Sequence, residues 1–189
     1  YLRLILSPEN KLKYLSKNNL NYKRIDLISK ILPNSIFLIP IRNPLQQSYS
    51  LLNQHLHFTK LQIEDDFVRR YMNYIGHNEF GLNHKFWHKP LKYKDCNDIN
   101  YWLEQWTLFY TNIYNSYETY TNCYFIFYEN LTNVDYINDL IKKIDLNNIE
   151  KVDFNYFKNS NKKELNVEFD KNCYENAINL YNKIHSRKN

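Results

Sequence analysis

The stretch IFLIPIRNPLQQSYSLLNQH, Ile36 to His55, decides how the chain is read. Ile36 to Ile41 is a continuous apolar run, bounded by Pro33-Asn34 before it and Arg42-Asn43-Pro44 after it. An apolar run without alternation suits a strand covered on both faces, as in a parallel sheet. Pro44 stands where a first helical residue tolerates proline, so a helix is predicted from Leu45 to about Phe58, carrying Ser48 and Ser50. In open α/β sheets ligands bind beyond the carboxyl ends of strands, which is where Arg42 falls. The first turn of the helix brings unpaired N–H groups and the positive end of the dipole. A planar guanidinium beside it can hold a phosphate through two parallel hydrogen bonds. Ser50, about two turns into the helix, would have to reach the same anion from the helix face. The plainer alternative is that Arg42 pairs with a carboxylate and that Ser50 caps or packs.

Working outward, Cys123 to Phe127 (CYFIF) is a second buried-strand run, ending in Tyr128-Glu129-Asn130, and Tyr14 to Lys17 is a third, shorter one. Helical patterns lie between them. Tyr22 to Leu32 places Ile25, Ile28, Ile31 and Leu32 on one face before Pro33 stops it, and Asp66 to Ile75 is another candidate. Ile99 to Tyr117 is the clearest, with Trp102, Leu103, Trp106, Phe109, Tyr110 and Ile113 at helical spacing, and is read as core. Val134 to Ile144 and Asp170 to Ile184 complete the set, the last opening on an acid and closing on His185-Ser186-Arg187. Strands alternating with helices predict an α/β fold with a parallel sheet, and 189 residues suit one domain, residues 1–189.

Composition narrows the field. The aromatic load of 18 Tyr, 11 Phe and 3 Trp is incompatible with a disordered tail. No apolar run approaches the ~20 residues that span a bilayer, and no secretory signal pattern opens the chain, so a cytoplasmic location is expected. Cys96, Cys123 and Cys173 are odd in number and far apart, which argues against disulfide scaffolds and zinc knuckles. The net charge of +5 comes from scattered lysines without a basic stripe or reading motif, so no nucleic-acid partner is expected.

Several motifs in order resemble the sulfotransferases that use 3′-phosphoadenosine 5′-phosphosulfate (PAPS). The strand, Arg42-Asn43-Pro44 and Ser50 eight residues after Arg42 look like the family's 3′-phosphate motif. Upstream, Leu15-Ser16-Lys17 and Leu32-Pro33-Asn34 are similar to its strand–Lys segment and to the approach to the next strand. Downstream, Phe127-Tyr128-Glu129-Asn130-Leu131 resembles the segment that ends a later strand. Phe67 to Tyr71 and Gly76 to Gly81 resemble a bacterial-type branch, so that the likeness covers roughly Tyr14 to Leu146. The resemblance implies a P-loop-like three-layer α/β fold and PAPS as co-substrate without a metal. It implies sulfuryl transfer to a hydroxyl or amine of a small-molecule or glycan acceptor. It assigns Arg42 and Ser50 to the 3′-phosphate, Tyr128 to a place beside the adenine, and Lys17 to the sulfuryl group, where a cation offsets charge on the bridging oxygen.

The family's 5′-phosphosulfate loop and first strand have no counterpart. The chain has two glycines, Gly76 and Gly81, and Leu82-Asn83 follows them where a phosphate loop needs Lys and Ser/Thr. The start at Tyr1 leads to the expectation that the N-terminal part of a longer protein is missing. A degenerate, binding-only relative and a nucleotide-dependent kinase of related fold are the alternatives. The histidine-rich GHNEFGLNHKFWHK brings His77, Glu79, His84 and His88 close in sequence. It lacks the helix-borne His pair enclosing a Glu that a zinc site uses, so no metal is expected. His77 or Glu79 is instead a candidate general base, since an imidazole titrates near the required pH, and a packing role for the loop is the alternative. His55 and His57 are expected on the surface or in the core.

Overall fold

In the computed structural model, residues 14–117, 120–146, 153, 165 and 167–187 are described. They fall into two compact units that divide between Ser35 and Ile36. In the first, Asn18 accepts a hydrogen bond from Leu20 N at 2.9 Å and opens a 3-10 turn, Asn19–Arg24. Helix α1, Ile25–Ile31, continues it. The helix stops at Leu32, which leaves the helical region with ψ 76°, as a residue before proline is biased to do. Only part of the expected apolar face is used: Ile25 is buried, whereas Ile31 is 66% exposed. Tyr14–Lys17 is irregular and exposed rather than a strand, so Lys17 does not stand at a strand end. Among the described residues nothing pairs with so short a segment, and Leu15 buries almost no surface.

The second unit holds a parallel pair of strands, β1 (Phe37–Ile41) and β2 (Cys123–Phe127). Their register sets Phe37 beside Cys123 and Ile41 beside Phe127. Both strands therefore end at the same level and deliver Arg42 and Tyr128 side by side. Among the described residues the sheet has these two strands alone, so the architecture is mixed α/β with a two-stranded parallel sheet. Burial of β1 on both faces is not observed: Ile39 and Ile41 are buried, but Leu38 is 39% exposed and Pro40 is exposed as well. Pro40 has no N–H to give a ladder, which suits a strand with one partner.

Helix α2 (Pro44–Glu64) follows β1, and α3 (Asp66–Tyr74) follows it after a break at Asp65. The α2 helix runs past Phe58, where the prediction ended it. Its last turns present Gln62 to the interior, where this side chain is bonded on both ends. Helix α4 (Ile99–Tyr117) is the core element and matches its predicted span. Tyr101, Trp102, Leu103, Gln105 and Trp106 are all buried, so α4 is covered on more than one side, and α2 and α6 pack against it. Polar links tie it to β1 and α2: Trp106 Nε1 donates to Gln47 Oε1 at 3.0 Å, and the Tyr110 hydroxyl donates to Pro40 O at 2.7 Å. Burial pushes the Tyr110 hydroxyl above its ordinary pKa and keeps it a donor.

After β2 come α5 (Val134–Lys143) and α6 (Lys171–His185). Asp170 starts α6, accepting from Cys173 N at 3.1 Å, the Tyr93 hydroxyl at 2.7 Å and Lys92 Nζ at 3.0 Å. The Tyr93 bond, then the Lys92 bond, holds its carboxyl well below the usual carboxylate range. No helix of the described residues is long and apolar enough to cross a membrane.

Candidate functional site

At the strand ends the Arg42 guanidinium lies over the Tyr128 ring, 5.0 Å from its centroid. Both side chains are half-buried. This geometry suits an arginine–aromatic contact and brings together two residues that the sequence reading placed in one site. Glu129, the next residue, fixes the turn. One carboxylate oxygen accepts from Asn43 N at 2.6 Å and the other from the Tyr181 hydroxyl at 3.0 Å. A single side chain thus joins the end of β1, the end of β2 and helix α6. Phe127 and His185 stack edge to face beside it, with centroids 4.6 Å apart.

The expectation of free amides at the start of α2 is corrected here. Asn43 is the N-cap, and its Oδ1 accepts from Leu45 N at 3.1 Å and Gln46 N at 3.2 Å. Gln47 N bonds to Asn43 O, Asn43 N is held by Glu129, and Pro44 has no N–H. The residue that follows Arg42 therefore satisfies the donors that an anion would have used. Side chains are left to recognise a ligand at this edge. Ser50 is exposed on α2, while Ser48 is fully buried and faces the interior. Lys17 belongs to the other unit and is exposed.

Comparisons with family models, curated proteins and solved structures give no match to this chain.

The histidine-rich loop is held by a different logic. Gly81 N donates to His55 Nδ1 at 3.2 Å, and Leu82 N donates to Gln62 Oε1 at 2.7 Å. Gly81 has φ +86°, and a Cβ there would overlap the Gln62 amide, so this position requires glycine. His84 Nδ1 lies 2.7 Å from Glu79 O and His84 Nε2 lies 2.7 Å from the Tyr101 hydroxyl. A carbonyl only accepts, so Nδ1 carries the proton and the neutral ring accepts from Tyr101 at Nε2. The backbone of His88 is bonded at both N and O by the Gln105 side chain, at 3.0 and 2.7 Å. Trp102 lies beneath, with its ring 5.2 Å from His84 and 5.6 Å from His55.

Two of the six histidines thus become structural acceptors. Burial, then the neighbouring His84, pushes His55 down to about 4 against the opposing pull of Asp95. Burial likewise lowers His84. The general-base candidates stay at the surface: His77 Nδ1 is 3.4 Å from Glu79 Oε2, with the two side chains 61% and 38% exposed. Their loop is fastened at His55, about three turns along α2 from Pro44, ~16 Å at 1.5 Å per residue. The pair is therefore set apart from Arg42 and Tyr128. No group of three His, Cys, Asp or Glu among the described residues is placed to hold a metal.

Sequence reasoning missed Glu129 and Tyr181 as shapers of the strand-end turn. The acid directly after a buried strand was a usable signal, because a carboxylate there can reach the neighbouring strand end. Nothing in the sequence pairs Tyr181 with it, since 52 residues separate the two.

Proposed function

We propose that the edge formed by Arg42 and Tyr128 binds an adenosine nucleotide carrying a 3′-phosphate, and that the protein is a PAPS-dependent sulfotransferase of P-loop-like fold. The observation that supports this reading is the 5.0 Å stack of Arg42 on Tyr128 where two parallel strands end together. A guanidinium and an aromatic ring in one place suit a ligand that has both a phosphate and a base. Ser50 would add a hydroxyl from the exposed face of α2. In the reaction, the bond from sulfur to the 5′-phosphate oxygen breaks and a bond from sulfur to the acceptor oxygen or nitrogen forms. The acceptor proton passes to a base, for which the exposed His77–Glu79 pair is the candidate. Adenosine 3′,5′-bisphosphate leaves.

Calorimetric titration of this chain with adenosine 3′,5′-bisphosphate tests the reading. Arg42→Ala removes a charge-assisted bond worth about 1.5–3 kcal/mol, so affinity should fall at least tenfold. Equal affinity for the two proteins would sink the assignment. A second reading, a binding-only protein, draws on the occupied amides at the start of α2, which leave no backbone cradle for phosphate there. It predicts nucleotide binding without sulfuryl transfer to any acceptor.

A further inference from the structure

Helix α3 turns an aromatic face outward. Phe67, Tyr71 and Tyr74, spaced to share one side of the helix, are 64%, 52% and 89% exposed. Ile63, at the end of α2, is 70% exposed. The rings of Phe67 and Tyr71 are stacked at 5.9 Å, so they offer one continuous apolar stripe. The inward side carries buried Met72 and half-buried Val68. Single exposed apolar residues need no explanation, but a contiguous aromatic stripe on a short amphipathic helix marks a surface that is covered in use.

The charges along the stripe say by what. Glu64, Asp65 and Asp66 gather at the start of the segment, and Arg69 and Arg70 follow one turn later. Asp66 and Arg70, which edge the stripe, form an exposed ion pair at 3.0 Å. An anionic surface would be repelled by the acidic end, and a cationic one by the arginines. A second copy of the same helix running antiparallel meets acid with base at both ends.

We propose that α3 is a self-association surface on which a second copy of this chain packs antiparallel, as a two-fold interface requires. Phe67 of each copy lies against Tyr71 of the other, and Asp66 of each lies beside the other's Arg70. The intrahelical pair becomes part of a four-charge ring around the stacked rings. A nine-residue helix is ~13 Å long and buries well under the ~1,200 Å² of a standard stable interface, so the dimer is weak and concentration-dependent.

Sedimentation equilibrium of the whole chain, from low- to high-micromolar concentration, is the test. The wild-type mass should rise toward that of a dimer, and Phe67→Asp should remain a monomer. Asp66→Arg makes both edge positions basic and Arg70→Asp makes both acidic, so each alone should be monomeric. Mixed one to one, they should recover a heterodimer, because each basic position then faces an acidic one. All these side chains are exposed, and unchanged circular dichroism verifies that each variant folds. A wild-type mass that stays monomeric, a dimer indifferent to Phe67→Asp, or a mixture that fails to associate would each overturn the proposal. Binding of the monomer to anionic vesicles through Phe67 would also overturn it, by giving the face to a membrane.

Discussion

The strand-end turn and the histidine loop both bring polar side chains together, and they do so for opposite ends. At the strand ends, Arg42 and Tyr128 remain half-buried against each other while Glu129 ties down the backbone beneath them. In the histidine loop, two imidazoles are consumed by structure: His55 and His84 spend ring nitrogens on the backbone and on Tyr101. His77 and Glu79, which stay at the surface, are the pair with no such task. The difference teaches that side-chain chemistry becomes available where another residue satisfies the backbone, and is lost where the side chain must do so itself.

Glycine substitution probes this contrast most strongly. Gly81→Ala forces a β-carbon at positive φ into the Gln62 amide that holds Leu82, and should cost about 3 kcal/mol in urea unfolding. Gly76→Ala, at φ +74° with nothing within 4 Å, should cost only about 1 kcal/mol. Equal costs would mean that the loop is not fastened at Gly81. Next comes Glu129→Ala, which strands Asn43 N–H and the Tyr181 hydroxyl and should cost about 2 kcal/mol. Hydrogen exchange at the Asn43 amide should accelerate in that variant, and Glu129→Gln should restore most of the protection because it keeps an oxygen acceptor. An unchanged Asn43 exchange rate would remove Glu129 from its role.

The smallest effect is acid sensitivity of the histidine loop. The folded pKa of His55 lies below its unfolded value of 6.5, so the unfolded chain takes up the proton first. Stability is full above pH 6.5, is lost as pH falls toward about 4, and levels off below that. Between pH 7 and 5.5 the loss from this group is on the order of 1 kcal/mol. It should be reduced in His55→Gln, which has no titration there. A pH slope that survives His55→Gln unchanged would place the acid sensitivity elsewhere.

Much of the scaffold was legible because it is written in local periodicity. Trp102, Trp106, Tyr110 and Ile113 recur at helical spacing, and α4 spans the predicted Ile99 to Tyr117. The apolar runs at β1 and β2 were visible for the same reason, as was the acid at Asp170 that caps α6. Errors arose where the outcome depended on a distant partner. Tyr14–Lys17 found none among the described residues and is no strand, α2 continued past Phe58 to a Gln62 that is bonded in the interior, and β1 kept one face exposed. At the site, Arg42 could be named from a strand end, and Tyr128 from the family resemblance of the segment that follows Phe127. Their approach to 5.0 Å depends on the parallel register of β1 and β2, which no local pattern encodes.

The amino-acid sequence by itself determined the helical and apolar segments and the positions of Arg42, Asn43 and Tyr128 at strand termini, since these follow from neighbours a few residues apart. Only the tertiary structure decided which polar groups remain available. Asn43 turned inward to occupy the amides of α2, Glu129 crossed 86 residues of chain to hold Asn43, and Gly81 N took His55 Nδ1 as its acceptor in the interior. The physical reason is that a buried donor or acceptor must be paired, and its partner is chosen by proximity in space rather than along the chain.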